Sequence, residues 1–272
     1  MNMPKELRND REQKNGMKET IYCISVPKSG TTSLAGIFSQ CLNKVSDHEP
    51  ERAMTVSYLH RHKLHDVSDD DLVNWHKSRR ERLSLDMESN CFLTYRFDLF
   101  LRAFPEARIV LPVRYPKSWL RSIFDNNIRF CAQKSEIVAK YHELLFNPQA
   151  YNYHSKEEES VLKKMNLYPI DAYLHYWKST YDLIIDSVSP ERLFILKTED
   201  IALKVEELYA FAGWPIPESC NDGCASSHNS HLNISPHEYG ILDLIDDDFV
   251  TDRINIICGE TVQKLSNCFK EC

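Results

Sequence analysis

Two adjacent stretches near the amino terminus decide the fold: IYCISV at residues 21–26 and PKSGTTSL at residues 27–34. The first is apolar and contains β-branched residues, which predicts a buried strand. The second holds one lysine, one glycine and four hydroxyl side chains, and it leads into apolar positions with helical spacing: Leu34, Ile37, Phe38, Cys41 and Leu42. A strand, a hydroxyl-rich loop and a helix N-terminus together offer N–H groups and a positive dipole end to an anion. We therefore expect a phosphate or sulfate site here.

The loop differs from the P-loop of enzymes that use ATP or GTP. That motif reads G-x-x-x-x-G-K-[ST], with the lysine after the second glycine. In this chain Lys28 precedes Gly30, which is the only glycine of the loop. The sequence therefore indicates a shorter, P-loop-like turn.

A second strand-to-helix unit has the same form. RIVLPV at residues 108–113 predicts another buried strand, and RYPKSWLRS follows at residues 114–122. Arg114 then lies at the carboxyl end of a strand, where open α/β sheets bind ligands. Pro116 can open the next helix, which places Ser122 on its first or second turn. A guanidinium suits a phosphate because it binds in a bidentate manner and stays charged.

These two motifs resemble the 5′-phosphosulfate loop and the 3′-phosphate site of sulfotransferases that use 3′-phosphoadenosine 5′-phosphosulfate (PAPS), of the soluble, small-molecule, bacterial-like type. The resemblance implies a metal-free enzyme in which Arg114 and Ser122 hold the 3′-phosphate. Lys28 would serve in catalysis by stabilising the charge that develops on the departing bisphosphate. The loop residues implied to bind the donor are Lys28, Ser29, Gly30, Thr31, Thr32 and Ser33.

The resemblance covers about residues 20–215. ERLFILKTED at residues 191–200 is similar to a later strand of the family, which normally ends in Tyr-Glu-Asp. Thr198 stands where the family has the tyrosine. We expect this departure to alter packing near the nucleotide.

The catalytic base has several candidates. Members of the family use either a carboxylate or an imidazole shortly after the first helix, and this chain offers both at DHEP, residues 47–50. His48 or Glu49 could take a proton from a hydroxyl or an amine. Asp86 and Glu88 are further candidates, in a segment similar to a family turn that faces the acceptor. Met87 stands there in place of a common lysine, which points away from an anionic acceptor.

Alternation of apolar strands with amphipathic helices predicts one α/β domain with a mostly parallel central sheet flanked by helices. The strands are expected at 21–26, 83–87, 109–113 and 193–196. We assign residues 1–18 to a flexible tail and residues 19–272 to the domain, with 129–168 as a lid over the acceptor. Pro169 opens a helix with a core-facing stripe: Ile170, Tyr173, Leu174, Trp177, Tyr181 and Ile184.

Composition and charge argue against several classes of protein and site. The net charge of −7 argues against a nucleic-acid surface and favours a neutral or cationic small-molecule acceptor, such as a nitrogen-rich natural product. No apolar run approaches the length of a membrane span, and no secretion signal is evident, so we expect a cytoplasmic enzyme without a membrane partner. Nine cysteines without scaffold spacing fit reduced thiols. The cluster Cys220, Cys224, His228 and His231 is too compact for a typical zinc site.

Two other functions remain open on the sequence. One is an ATP-dependent small-molecule kinase of related fold, although the Walker lysine and paired acidic magnesium ligands are missing. The other is a non-catalytic module that kept the nucleotide site. The sequence does not fix the oligomeric state.

Overall fold

A five-stranded sheet organises the protein in the computed structural model, which describes residues 20–40, 44–131, 136–146, 159–214 and 239–271. All of its strand pairs are parallel, and the spatial order is β2-β3-β1-β4-β5. In chain order the strands are β1 Ile21–Cys23, β2 Ser46–His48, β3 Met87–Ser89, β4 Arg108–Val113 and β5 Leu193–Lys197.

Helices cover both faces of this sheet. In chain order they are α1 Thr31–Gln40, α2 Arg52–Lys63, α3 Asp69–Leu83, α4 Phe97–Ala103, α5 Pro116–Cys131, α6 Glu136–Leu145, α7 Ser160–Lys164, α8 Ile170–Ser187, α9 Val205–Ala212 and α10 Asp247–Glu271. All three residues of β1 are buried, as expected for a central parallel strand covered on both sides. The predicted α/β fold, a single domain with a parallel sheet flanked by helices, is confirmed.

The core divides into two clusters because successive strand side chains point to opposite faces. Ile21 and Cys23 pack with Leu34 and Phe38 of α1 on one face. Tyr22 points to the other face, into a larger cluster that contains the buried aromatic residues of α5 and α8. The apolar stripe predicted for α8 is confirmed, since all six of its members are buried: Ile170, Tyr173, Leu174, Trp177, Tyr181 and Ile184.

The strand predicted at 83–87 is largely wrong. Helix α3 continues to Leu83, and β3 begins only at Met87. A capping box between Ser68 and Asp71 stabilises the start of this helix, and Ser84 ends it in the left-handed conformation with φ 46°. The apolar residues around Ser84 therefore belong to the end of α3 and to the segment that connects it to β3.

Strand β2 is not among the strands predicted from the sequence. Its three residues, Ser-Asp-His, are polar, so hydrophobicity gives no signal for a strand. Pairing with β3 makes it one, with Asp47 opposite Glu88 and His48 opposite Ser89. As an edge strand it brings His48 to the carboxyl edge of the sheet.

Asp86 and Glu88 hold this side of the sheet together. A carboxylate oxygen of Asp86 accepts the backbone N–H of Val45 at 2.8 Å. Glu88 is buried and forms an ion pair with buried Arg79, with Nη1 and Oε2 2.7 Å apart. Its second oxygen accepts from the side-chain amide of Asn90 at 2.8 Å. These contacts favour a structural role for both carboxylates over the role of a base.

Within the ranges that the structure describes, no helix is both long and apolar enough to cross a lipid bilayer.

Replacing Glu88 by glutamine should lower the free energy of unfolding by about 3 kcal/mol, because it removes the buried counter-charge of the Arg79 guanidinium. Within the described part of the chain, only Glu51 then remains near it, with Oε2 3.8 Å from Nε of Arg79. Urea unfolding followed by circular dichroism measures the change. Glu106→Gln, at an exposed position, is the control and should change stability by less than about 0.5 kcal/mol. Equal stability of the two variants would contradict a structural role for Glu88.

Candidate functional site

The loop after β1 is held at several points of its backbone. The Ser29 hydroxyl donates to the carbonyl of Val26 at 2.6 Å, and the Thr198 hydroxyl, just after β5, donates to the carbonyl of Ser29 at 2.7 Å. The indole N–H of Trp119 on α5 donates to the carbonyl of Pro27 at 2.8 Å. One bond within the loop and two from other elements therefore fix its path.

Only glycine fits at position 30. Its φ is +95°, a conformation that side chains disfavour. A Cβ atom there would lie 2.6 Å from Cδ1 of Ile201 and 3.1 Å from Cγ2 of Thr198. Lys28 also has a left-handed backbone, with φ 68°. The chain thus makes a tight, strained turn between β1 and α1, as backbones often do at functional sites.

The turn leads directly into the N-terminus of α1. The first intrahelical bond runs from the N–H of Leu34 to the carbonyl of Gly30. Helix geometry gives the amides of Thr31, Thr32 and Ser33 no carbonyl partner within the helix. Together with the helix dipole, these groups suit an anion at the end of α1.

Arg114 lies beside this loop. Strands β1 and β4 are neighbours, with Cys23 opposite Val110, so the turns that follow them share one edge of the sheet. The guanidinium Nη1 of Arg114 donates to the carbonyl of Lys28 at 3.2 Å. The structure thus brings together the two cations that the sequence predicted. Ser122 lies on the second turn of α5 and is buried.

The charge around Lys28 is predominantly positive. Burial lowers the pKa of Lys28, and the charges of Arg114 and Arg129 lower it further, while Asp125 partly opposes them. Burial likewise lowers the pKa of Arg114. Half-buried cations of like sign repel each other and lose hydration. An anion bound between them would relieve both costs.

His48 reaches the same loop from the other side. Its Nε2 lies 3.2 Å from the hydroxyl of Thr31 and 3.1 Å from that of Thr32. Burial is the main cause that lowers the pKa of His48 below 6.5, and the charge of Glu49 opposes this shift. The imidazole is therefore mainly neutral at pH 7 and able to accept a proton.

Glu49 has other partners. One carboxylate oxygen lies 2.7 Å from Nε of Arg52, and the other accepts from the thiol of Cys91 at 3.1 Å. The distance from Glu49 Oε1 to His48 Nε2 is 3.9 Å. An ion pair and a thiol already occupy this carboxylate, which makes Glu49 the weaker candidate for the base.

Comparison with protein families matches residues 20–222 to a family described as a sulfotransferase domain. The match spans well over half of the 272 residues. The chain belongs to the sulfotransferase family.

Two solved structures similar to this sulfotransferase are a sulfotransferase domain from the Synechococcus PCC 7002 olefin synthase and one from the curacin biosynthetic pathway. The first is 13% identical with a TM-score of 0.39, and the alignment covers 88% of this chain and 86% of the other. The second is 12% identical with a TM-score of 0.39, covering 88% and 91%. No curated protein matched the chain.

Several residues of this sulfotransferase site were not predicted from the sequence. Arg52 and Cys91 bind Glu49, and Trp119 binds the loop. Asp125 and Arg129, both on α5, shift the pKa of Lys28 in opposite directions. Asp125 and Arg129 are four residues apart on the helix that follows Arg114, and this spacing is the sequence signal that places both on one face of that helix.

Some predicted features fall outside the described residues. These are the tail at 1–18, the compact cysteine and histidine cluster (Cys220, Cys224, His228, His231), and part of the lid at 129–168. The described parts of the lid segment include α6 and α7, and its role stays a prediction. Among the described residues, no group of three or more His, Cys, Asp or Glu side chains could hold a metal ion.

Thr198 supports the loop through its hydroxyl, so Thr198→Val should lower the free energy of unfolding by about 0.5–1.5 kcal/mol. Amides of the loop should also exchange hydrogen faster. Thr198→Ser keeps the hydroxyl and is the matched control, expected to stay closer to the wild type. Urea unfolding and hydrogen–deuterium exchange measure both effects. Identical behaviour of the valine and serine variants would show that the bond to Ser29 does not hold the loop.

Proposed function

We propose that this sulfotransferase transfers a sulfuryl group from PAPS to a hydroxyl or amine of a small molecule. One observation carries the proposal: Arg114 lies against the Lys28 loop, with Nη1 3.2 Å from the Lys28 carbonyl. PAPS bears phosphate at the 3′ position and phosphosulfate at the 5′ position. Two cationic turns on one sheet edge suit such a molecule.

The residues that would hold the donor divide by position. Lys28 and the first-turn amides of α1 would bind the phosphosulfate end, with the hydroxyls of Thr31 and Thr32 beside it. Arg114 and Ser122 would bind the 3′-phosphate, as in the family pattern. Gly30 allows the close approach of backbone to ligand. The predominantly positive charge around Lys28 favours a ligand with several negative charges.

The chemistry that this arrangement supports is an in-line displacement at sulfur. The acceptor oxygen or nitrogen forms a bond to sulfur while the bond from sulfur to the 5′-phosphate oxygen breaks. Lys28 would stabilise the negative charge that develops on that leaving oxygen. His48 would accept the acceptor's proton, since its imidazole is mainly neutral and lies at the loop. The positioned lysine supplies the charge stabilisation for which other transferases use a metal ion.

The acceptor that we propose is a neutral or cationic small metabolite, such as a natural product. Acidic residues lie just before and at the start of α10, and such carboxylates can steer a cation. Two of them have other partners, since Asp243 binds Arg121 and Asp247 binds Lys117. Met87, which replaces a common lysine, is fully buried in the core cluster of Ile21 and Leu34 and so faces no acceptor. The net charge of −7 is the remaining support. A cytoplasmic location rests on the cysteine pattern.

Removing the cations separately tests the assignment. Lys28→Ala should mainly depress kcat, because the lysine acts on charge that develops during the reaction. Arg114→Ala should mainly weaken binding of adenosine 3′,5′-bisphosphate, by about 2–4 kcal/mol. Sulfate-transfer kinetics and calorimetry without magnesium measure the two effects.

Arg102→Ala, an exposed arginine of α4, is the control and should leave both quantities unchanged. Wild-type kinetics in both test variants would end the proposal. Tight binding of ATP with magnesium, but not of the bisphosphate, would favour a kinase. Normal bisphosphate binding without transfer to a broad set of acceptors would favour a non-catalytic module.

The pH profile distinguishes His48 from Glu49 as the base. The neutral imidazole is the active form, so kcat should rise with pH through the His48 pKa and reach a plateau by neutral pH. Because Glu49 raises the pKa of His48, Glu49→Gln should move the acid limb to lower pH while activity remains. His48→Asn should reduce kcat by about 10²- to 10⁴-fold. Loss of activity in Glu49→Gln, with His48→Asn active, would make Glu49 the base.

A further inference from the structure

Helix α8 presents two buried side chains to the ends of β1 and β4. Trp177 and Tyr181 are four residues apart, so they lie on one face of the helix, and both are fully buried. Tyr181 sits against the turn that carries Arg114, and so does Trp177. We call these two residues the α8 pair.

Tyr181 connects the two strands that carry the phosphate-binding turns. Its hydroxyl lies 3.1 Å from the hydroxyl of Ser25, which follows β1, and 3.1 Å from the carbonyl of Pro112 in β4. Ser25 also reaches the Pro112 carbonyl, at 2.7 Å. The two hydroxyls and the carbonyl thus form a closed, buried triangle across the strand ends. Buried hydroxyls in such networks are costly to leave unsatisfied.

The α8 pair also binds the main chain of Arg114 on both sides. The indole N–H of Trp177 donates to the Arg114 carbonyl at 2.9 Å. The Arg114 N–H points to the hydroxyl of Tyr181 at 3.5 Å, a longer contact. The backbone of Arg114 is therefore held by α8 and not by the sheet alone.

This arrangement controls where the guanidinium can lie. The backbone of Arg114 is fixed relative to β1 through Tyr181 and Ser25, and its side chain extends to the Lys28 carbonyl. A shift of the Arg114 backbone would change the spacing between the two cationic turns. A ligand of fixed length would then contact one turn well and the other poorly.

We infer that Trp177 and Tyr181 are positioning residues that set the distance between the 5′ and 3′ anion sites, and hence the discrimination for a 3′-phosphate. The inference rests on the proposed function, because it takes Arg114 as the group that binds that phosphate. Neither residue need touch the ligand. Their effect passes through the backbone of Arg114.

The test compares two nucleotides that differ only in the 3′-phosphate. Calorimetry gives the Kd of adenosine 3′,5′-bisphosphate and of adenosine 5′-monophosphate for each variant, and their ratio measures discrimination. Tyr181→Phe removes only the hydroxyl and should reduce this ratio about 3- to 10-fold. The Kd of the monophosphate should change little.

A matched control lies on the same helix. Tyr173 is fully buried, and its hydroxyl accepts from the side-chain amide of Asn127 at 2.9 Å. Tyr173→Phe should lower the melting temperature without changing the ratio. A merely structural role for Tyr181 would give the same result as this control.

A second background shows whether the effect passes through Arg114. In Arg114→Met the ratio is already low, so adding Tyr181→Phe should reduce it no further. An equal reduction in both backgrounds would overturn the inference. If Tyr181→Phe fails to fold, Trp177→Phe removes the bond to the Arg114 carbonyl and carries the same expectation.

The outcomes separate this inference from the proposed function. A wild-type protein that does not distinguish the two nucleotides would overturn the proposed function, and the inference with it. A wild type that discriminates, with an unchanged ratio in Tyr181→Phe and Trp177→Phe, would overturn the inference alone.

Discussion

The contact between the Arg114 guanidinium and the Lys28 carbonyl depends on one constraint, which is the parallel pairing of β1 with β4. In a parallel sheet the carboxyl ends of neighbouring strands lie at the same edge. The register of Cys23 with Val110 therefore places the two turns side by side. The loop, the helix N-terminus and the arginine would serve different surfaces if another strand stood between β1 and β4. The two cationic turns of the candidate site follow from this adjacency, while His48 reaches the loop through the pairing of β2 with β3.

Such a site is costly for the free protein. Both cations are partly removed from water, which lowers the pKa of Lys28 and of Arg114, and the charge of Arg114 lowers the pKa of Lys28 further. The left-handed backbone of Lys28, a conformation that non-glycine residues disfavour, adds to this cost. The surrounding structure offsets it with hydrogen bonds from Thr198 and Trp119 to the loop. A site prepared in this way needs little reorganisation when charge develops during a reaction.

The two neighbouring candidates for the base differ in environment although they are adjacent in sequence. His48 belongs to the edge strand and faces the loop hydroxyls, where burial keeps it mainly neutral. Glu49 turns away in a left-handed conformation and binds Arg52 and Cys91. His48 is thus the group that can accept a proton, and Glu49 is a carboxylate whose charge raises the pKa of His48. This division of roles is visible only in the contacts.

The sequence by itself determined the strand–loop–helix units, the two cationic turns and the buried stripe of α8, because these depend on local periodicity and on residue chemistry. It also showed Thr198 as a departure from the family pattern. It could not predict β2, whose polar residues become a strand only by pairing with β3. The strand expected at 83–87 begins only at Met87. Only the tertiary structure decided that Glu88 binds Arg79 and that Trp177 and Tyr181 hold Arg114. Tyr181 and Arg114 are 67 positions apart, and contacts over such separations arise from packing, which no local pattern encodes.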